Sequence, residues 1–353
     1  MKILTIVGAR PQFVKAAVVS RALEAASVDE VLLHTGQHFD ANMSDLFFSE
    51  LSIPEPRYNL GIGGGSHAAN TGRAMEGIEK VIEAEEPDVV LVYGDTDATL
   101  AGAVAAAKLF VPVAHVEAGL RSFNRRMPEE VNRVLTDHVS NFLFAPTEVA
   151  VANLRREGIL EAAIHLPGDV MYDAVLHYGA MASDKSHVLD DLKIEPRKYI
   201  LATVHRKENT DDPGRLSGIL DGLAAAGQQV ILPLHPRTRN RLSEMGMMLP
   251  VNVRSIDPVG YLDMLQLQSN ARMIATDSGG MQKEGYFNGV HCAVLRDETE
   301  WTELIDNGFN RLVGTDADAI ARTLNETDWP VADDALYGDG RAGEFIAHIL
   351  KGI

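Results

Sequence analysis

Short, near-continuous apolar runs recur along this chain, separated by segments long enough for helices. The runs at residues 3–7, 31–34, 88–93, 111–116 and 141–145 are rich in Val, Ile and Leu. A run without polar alternation marks a strand buried on both faces. The beat of strand and helix predicts a doubly wound parallel sheet. The beat starts again after about residue 168, with strands expected at 199–204, 230–234, 251–254, 273–276 and 292–295. The second half repeats the architecture without repeating the sequence. A chain of 353 residues also exceeds one ordinary hydrophobic core. The expectation is an α/β protein of two Rossmann-like domains, residues 1–168 and 169–336. An amphipathic C-terminal helix within 337–353 is expected to pack back on the first domain. Residues 182–196 read as surface connection.

Parallel α/β sheets bind ligands beyond the carboxyl ends of their strands. The polar residues that follow the predicted strands are Arg10, Gly36-Gln37-His38, Asp95, Glu117, His205, His235 and Ser278. Two such sheets facing each other would close a cleft lined by them. The most informative stretch is Asp277-Ser278-Gly279-Gly280-Met281-Gln282-Lys283-Glu284. An apolar run, two glycines and a helix start make an anion site, because the first helical N–H groups have no partner within the helix. Ser278 adds a hydroxyl and Glu284 an acceptor one turn later, which together read as a diphosphate cradle with a ribose contact. The same residues also fit an ordinary turn in which Ser278 is the N-cap.

Arg10 and Lys15 bracket the first helix start, where an anion would meet two cations and the helix dipole. Gly8-Ala9-Arg10 is not the Gly-x-Gly-x-x-Gly fingerprint, which disfavours a nicotinamide cofactor. Asp95 reads either as a functional carboxylate or as a helix cap. Glu117, directly after a buried strand, is harder to read as a cap. Glu129 and Glu130 open a helix, where acids are favoured by the dipole alone. Carboxylates converging on one cleft would raise at least one pKa by mutual repulsion, as proton transfer at carbon requires. His205 with Arg206 is suited to neutralise a departing phosphate, and His235 to similar work.

The net charge of −18 excludes the basic footprint that nucleic acid or an anionic membrane needs. A single cysteine, Cys292, precludes an intramolecular disulfide and suits a reducing cytoplasm. His34 and His38 lie across a strand and a loop, which builds no zinc face, so no metal is expected. The chain enters a strand at residues 3–7, which does not read as a signal peptide. No apolar stretch is long enough to span a bilayer.

Taken in order, the motifs resemble the non-hydrolysing UDP-N-acetylglucosamine 2-epimerases over essentially the whole length. They are Gly8-Ala9-Arg10-Pro11-Gln12 with Lys15, Thr35-Gly36-Gln37-His38, Gly94-Asp95-Thr96, Glu117-Ala118-Gly119-Leu120-Arg121 and Pro128-Glu129-Glu130 with Asn132-Arg133. His205-Arg206-Lys207-Glu208-Asn209, His235-Pro236-Arg237, Asp277-Ser278-Gly279-Gly280 with Gln282 and Glu284, and Arg296-Asp297 with Thr299-Glu300 follow. The resemblance implies two domains facing a cleft, as in the GT-B glycosyltransferases, and an active site in that cleft. It implies inversion at C-2 of a UDP-sugar by elimination and re-addition of UDP, with no cofactor, in a cytoplasmic homodimer. By the same resemblance, Asp95, Glu117 and Glu129 are the acid/base candidates, with base and acid unassigned. His205 would stabilise departing UDP. Arg10, Ser278, Gly279 and Gly280 would hold the diphosphate, and Glu284 the ribose.

Some residues depart from the commonest bacterial pattern. Phe39-Asp40-Ala41-Asn42-Met43 follows Gln37-His38, Lys283 stands where a second Glu is usual, and Trp301 follows Glu300. These features resemble the subgroup that epimerises UDP-2,3-diacetamido-2,3-dideoxy-glucuronate for surface polysaccharide. Arg125, Arg126 or Lys283 would then meet the added carboxylate of that sugar. A GT-B glycosyltransferase, a UDP-sugar sensor and a hydrolysing epimerase are the rival readings. The carboxylates at strand ends disfavour the first two, and free UDP accumulating with turnover would mark the third.

Overall fold

The computed structural model describes residues 1–36, 55–331 and 336–353, and of Arg10 the backbone alone. Gln37, His38 and the helix expected near residues 44–51 lie outside the described residues. The chain divides into two compact units, Met1–Leu176 with Asp334–Ile353, and His177–Asp333.

The first unit holds a seven-stranded, wholly parallel sheet. Its strands are β1 (Lys2–Val7), β2 (Asp29–His34), β3 (Tyr58–Asn59), β4 (Val89–Tyr93), β5 (Val113–Val116), β6 (Phe142–Phe144) and β7 (Ile164–His165). They lie in the order β3-β2-β1-β4-β5-β6-β7. The winding reverses between β1 and β4, and at such a switch point the two following turns diverge and leave a crevice. The Val/Ile/Leu runs become strands because both faces are covered. On one face Leu4, Ile6, Val31, Leu33, Val90 and Val92 pack with Ala74, Ile78 and Ile82 of the helix His67–Glu85. The Ala-rich helix Asp97–Lys108 lies very close to the sheet, since a Cβ on Gly102 would stand 2.8 Å from the Ile6 side chain.

On the first unit, the helix Arg10–Ala25 packs against the C-terminal helix Ala342–Lys351. A Cβ on Gly343 would meet Val18 at 3.0 Å. The buried Asp173 carboxylate accepts from the amides of Ala342 (3.1 Å) and Gly343 (2.8 Å), capping that last helix.

The second unit winds the same way: β8 (Ile200–Thr203), β9 (Val230–Pro233), β10 (Val253–Ile256), β11 (Met273–Thr276), β12 (Cys292–Val294) and β13 (Asn310–Leu312). Their order is β10-β9-β8-β11-β12-β13, again all parallel, with its reversal between β8 and β11. β3, β7 and β13 were not expected from the sequence. The first two are two residues long, and β13 opens on Asn310 and Arg311. The edge strand expected at 251–254 is displaced to β10, because Val251 is exposed and Val253 faces the core. Residues 182–196 are not mere surface connection. They include the end of the helix Val170–Lys185 and the helix Val188–Leu192, and Val188 and Ile194 are buried.

Burial raises the Asp173 carboxyl to about 6, helped by the charge of Asp169 and opposed by the amides of Gly343 and Ala342. An acid whose folded pKa is raised binds its proton more tightly when folded, so its contribution is present at low pH and lost as pH rises from about 4 to about 6. Asp173→Asn removes this slope. Urea unfolding of wild type against the variant is expected to show wild type losing on the order of 2–3 kcal/mol relative to it across that window.

Candidate active site

In the first unit, the turns after β1, β4 and β5 are tied together by their own side chains. Gln12 Oε1 accepts from the amides of Gly8 (2.7 Å) and Ala9 (2.9 Å). Its Nε2 reaches the Tyr93 carbonyl (2.7 Å) and the hydroxyls of Thr96 (3.1 Å) and Thr99 (2.9 Å). The amides of Gly8 and Ala9, just before the first helix, are therefore occupied by the chain itself. Lys15, read from the sequence as a cation for an anion, instead forms a buried ion pair with Glu117.

Glu117 follows β5 with φ of +72°, in the left-handed region. Its amide donates to the Phe144 carbonyl at 3.1 Å. A Cβ on Gly94, itself at φ +62°, would stand 3.3 Å from Glu117 Oε2, so a glycine is required where the β4 turn passes Glu117. Asp95, next along, is half-buried and paired with Arg133. Arg133 also meets Glu130 at 2.9 Å. The two adjacent acids at the start of the helix Pro128–Val139 thus part company. Glu130 is buried and accepts from the Ser122 amide (2.9 Å), the Ser122 hydroxyl (3.0 Å) and the Phe123 amide (2.9 Å). Glu129 is half-exposed and has no polar partner among the described residues. The expected mutual repulsion of carboxylates is thus replaced by dedicated cations: Lys15 for Glu117, and Arg133 for Asp95 and Glu130.

In the second unit, Asp277 organises the switch point. It is fully buried at the end of β11, and its carboxylate accepts from the amides of His205 (3.0 Å) and Arg206 (3.0 Å) and from Asn209 Nδ2 (3.2 Å). His205 Nδ1 lies 3.5 Å from the same carboxylate, while 40 % of its side chain stays exposed. The His205 ring sits 5.7 Å from that of His235, whose Nδ1 caps its helix by accepting from the Arg237 amide at 3.1 Å. Arg206 is half-exposed and lies 3.5 Å from Glu208.

Ser278 caps the helix Gly279–Phe287, accepting from the Met281 amide at 3.5 Å. Among the described residues the amides of Gly279 and Gly280 have no partner, unlike those of Gly8 and Ala9. The two glycines have different reasons. A Cβ on Gly279 would stand 2.5 Å from Glu300 Oε1, whereas one on exposed Gly280 would meet nothing nearer than Ser278 Oγ at 3.9 Å. A side chain at Gly279 would thus displace the Glu300 carboxylate. Glu300 is in turn paired with buried Arg296 at 2.9 Å. Glu284 is 7 % exposed and accepts from Gln268 Nε2 (2.7 Å) and the Tyr261 hydroxyl (3.3 Å). Lys283 is buried with its ammonium 4.0 Å from the centre of the Trp301 ring. Of the cations expected to meet an extra substrate carboxylate, Arg125 and Arg126 are exposed and Lys283 is not.

Sequence reasoning gave no role to Gln12, Arg133, Glu130 or Asp277. The available signal was a polar side chain set directly beside a buried strand or helix start. Among the described residues no group of three or more His, Cys, Asp or Glu side chains is arranged to hold a metal ion. No helix among them is long and apolar enough to cross a membrane.

Comparison with known proteins bears on this arrangement. The family model described as UDP-N-acetylglucosamine 2-epimerase matches residues 21–351. A UDP-N-acetylglucosamine 2-epimerase homolog of Methanococcus maripaludis is 48 % identical, covering 100 % of both chains. The UDP-2,3-diacetamido-2,3-dideoxy-D-glucuronate 2-epimerase of Pseudomonas aeruginosa is 52 % identical, covering 99 % of each. The crystal structure of Methanocaldococcus jannaschii UDP-GlcNAc 2-epimerase in complex with UDP-GlcNAc and UDP superposes with a TM-score of 0.93 at 43 % identity, covering 100 % of both chains.

The split between Glu129 and Glu130 is open to a stability test. Glu130→Ala leaves Arg133 buried with one partner lost and three donors unmet, and is expected to lower the unfolding free energy by about 3 kcal/mol. Glu129→Ala is expected to change it by less than about 0.5 kcal/mol. Urea unfolding of the two variants side by side checks both.

Proposed function

The chain belongs to the UDP-N-acetylglucosamine 2-epimerase family, and from that premise we propose that it inverts C-2 of UDP-N-acetylglucosamine to give UDP-N-acetylmannosamine without net hydrolysis. A carboxylate removes the C-2 proton as the C-1–oxygen bond breaks and UDP departs. A proton is then returned to the opposite face of C-2, and the UDP oxygen bonds again to C-1. Asp95, Glu117 and Glu129 are the groups for the two proton transfers. Lys15 and Arg133 support their pairs as carboxylates, the form a base requires.

The observation that carries this reading is the contrast between the two helix starts. Gln12 takes the two amides just before the first, while the amides of Gly279 and Gly280, which open the second, have no partner among the described residues, beside a half-exposed His205 held by Asp277. An open helix N-terminus with a histidine beside it suits a diphosphate that must leave and return. Arg10, Arg206 and His235 add positive charge or donors for it, Ser278 its hydroxyl, and Glu284 the ribose contact. A homodimer in the cytoplasm is the setting that the family resemblance supports.

A second reading, the same inversion on UDP-2,3-diacetamido-2,3-dideoxy-glucuronate, is favoured by the name of the 52 % identical relative. Proton NMR in deuterium oxide decides. With UDP-N-acetylglucosamine we expect the manno epimer carrying deuterium at C-2 and no free UDP beyond trace. Turnover of the diacetamido uronate alone selects the second reading, UDP released with each turnover a hydrolysing enzyme. Absence of exchange with either sugar, despite UDP binding, overturns the proposal.

A further inference from the structure

β5 carries one side chain that the mechanism above does not use. His115 is fully buried, two residues before Glu117. Its Nε2 lies 2.7 Å from the Gly94 carbonyl, in the turn that delivers Asp95. Its Nδ1 lies 2.7 Å from Asp137 Oδ1. The other oxygen of Asp137 accepts from the Gly119 amide at 3.1 Å, two residues beyond Glu117. Glu117 itself holds a left-handed backbone at φ +72°, which a non-glycine residue keeps only where its surroundings impose it.

We propose that His115, held as an imidazolium, is the positioning residue that locks the turn carrying Asp95 to the turn carrying Glu117. The inference rests on the proposed function for what those carboxylates do. The proton count follows from the partners. A carbonyl oxygen can only accept, so Nε2 carries a proton. A carboxylate oxygen can only accept, so Nδ1 carries one as well. Asp137 is ionised: burial raises its carboxyl, but the hydrogen bonds and charges of His115 and Arg121 outweigh burial and hold it below the ordinary range. Arg121 Nη1 stands 2.7 Å from Asp137, and Arg121 holds Glu157 through two bonds of 2.7 and 2.6 Å. The buried members of the cluster are His115, Arg121 and Asp137, while Glu157 is a quarter exposed and its Oε2 lies 3.9 Å from His138 Nδ1. Of the neighbouring charged groups, Lys15 matches Glu117 one to one, while Arg133 faces two carboxylates, Asp95 and Glu130.

The test uses the full chain labelled with 15N-histidine. At pH 8, one histidine ring is expected to show both nitrogens protonated, and that signal is expected to vanish in His115→Gln. In the same variant, the rate of C-2 deuterium exchange per UDP-binding site is expected to fall about 10- to 100-fold, with KM moving less than about threefold. A merely destabilised protein would lose binding sites and keep the rate per site. A singly protonated ring in wild type, an unchanged rate per site, or a loss confined to KM overturns the proposal. Should the variant not fold, the protonation state of wild type decides: a ring protonated on both nitrogens supports it, a neutral ring overturns it. If wild type exchanges no deuterium with any UDP-sugar, it is the proposed function that fails, and the ring still reports on His115.

Discussion

A carboxylate at the end of a buried parallel strand is costly unless a cation meets it. This constraint shapes the first unit. Glu117 leaves β5 with its side chain buried, and Lys15 comes from another helix to pair with it. Arg133 serves Asp95 and Glu130 from the next helix along. The Lys15–Glu117 and Arg133–Asp95 pairs join segments far apart in sequence, whereas Arg133 and Glu130 sit one turn apart on the same helix. Gln12 works with them as a neutral clamp, bridging the turns after β1 and β4.

The same winding serves two different ends in the two units. Both sheets reverse direction beside their first strand, and both carry a turn into a helix at that point. In the first unit Gln12 takes the Gly8 and Ala9 amides just before the helix that follows β1. In the second the strand across the reversal, β11, ends at Asp277, which turns its carboxylate to the amides of His205 and Arg206, after β8, and not to the helix start that follows it. Among the described residues the amides of Gly279 and Gly280 at that helix start keep no partner.

Much of the fold was legible in the sequence. The parallel strands announced themselves as runs of Val, Ile and Leu, because a strand covered on both faces has no polar side to show. Three edge strands were not legible. β3, β7 and β13 are short and partly polar, and they form because an existing edge offers hydrogen bonds. The helical content of 182–196 was hidden by its surface charges, although Val188 and Ile194 are buried. Within the site, the residue types at strand ends stood out, while their partners did not. Glu129 and Glu130 look alike in sequence, and only the positions of Ser122, Phe123 and Arg133 make one structural.

By itself the sequence determined the α/β class, the doubling of the sheet, the motifs that resemble the epimerase family and the strand ends at which polar groups gather. Those follow from local periodicity and from the order of residues along the chain. Only the tertiary structure decided which of those groups are matched by other side chains and which are not. It assigned Lys15 to Glu117, Gln12 to the first helix start, Asp277 to the loop of His205 and Glu300 to the space above Gly279. The physical reason is that charge compensation and close packing act between side chains brought together from distant positions, and no local pattern records which pairs will meet.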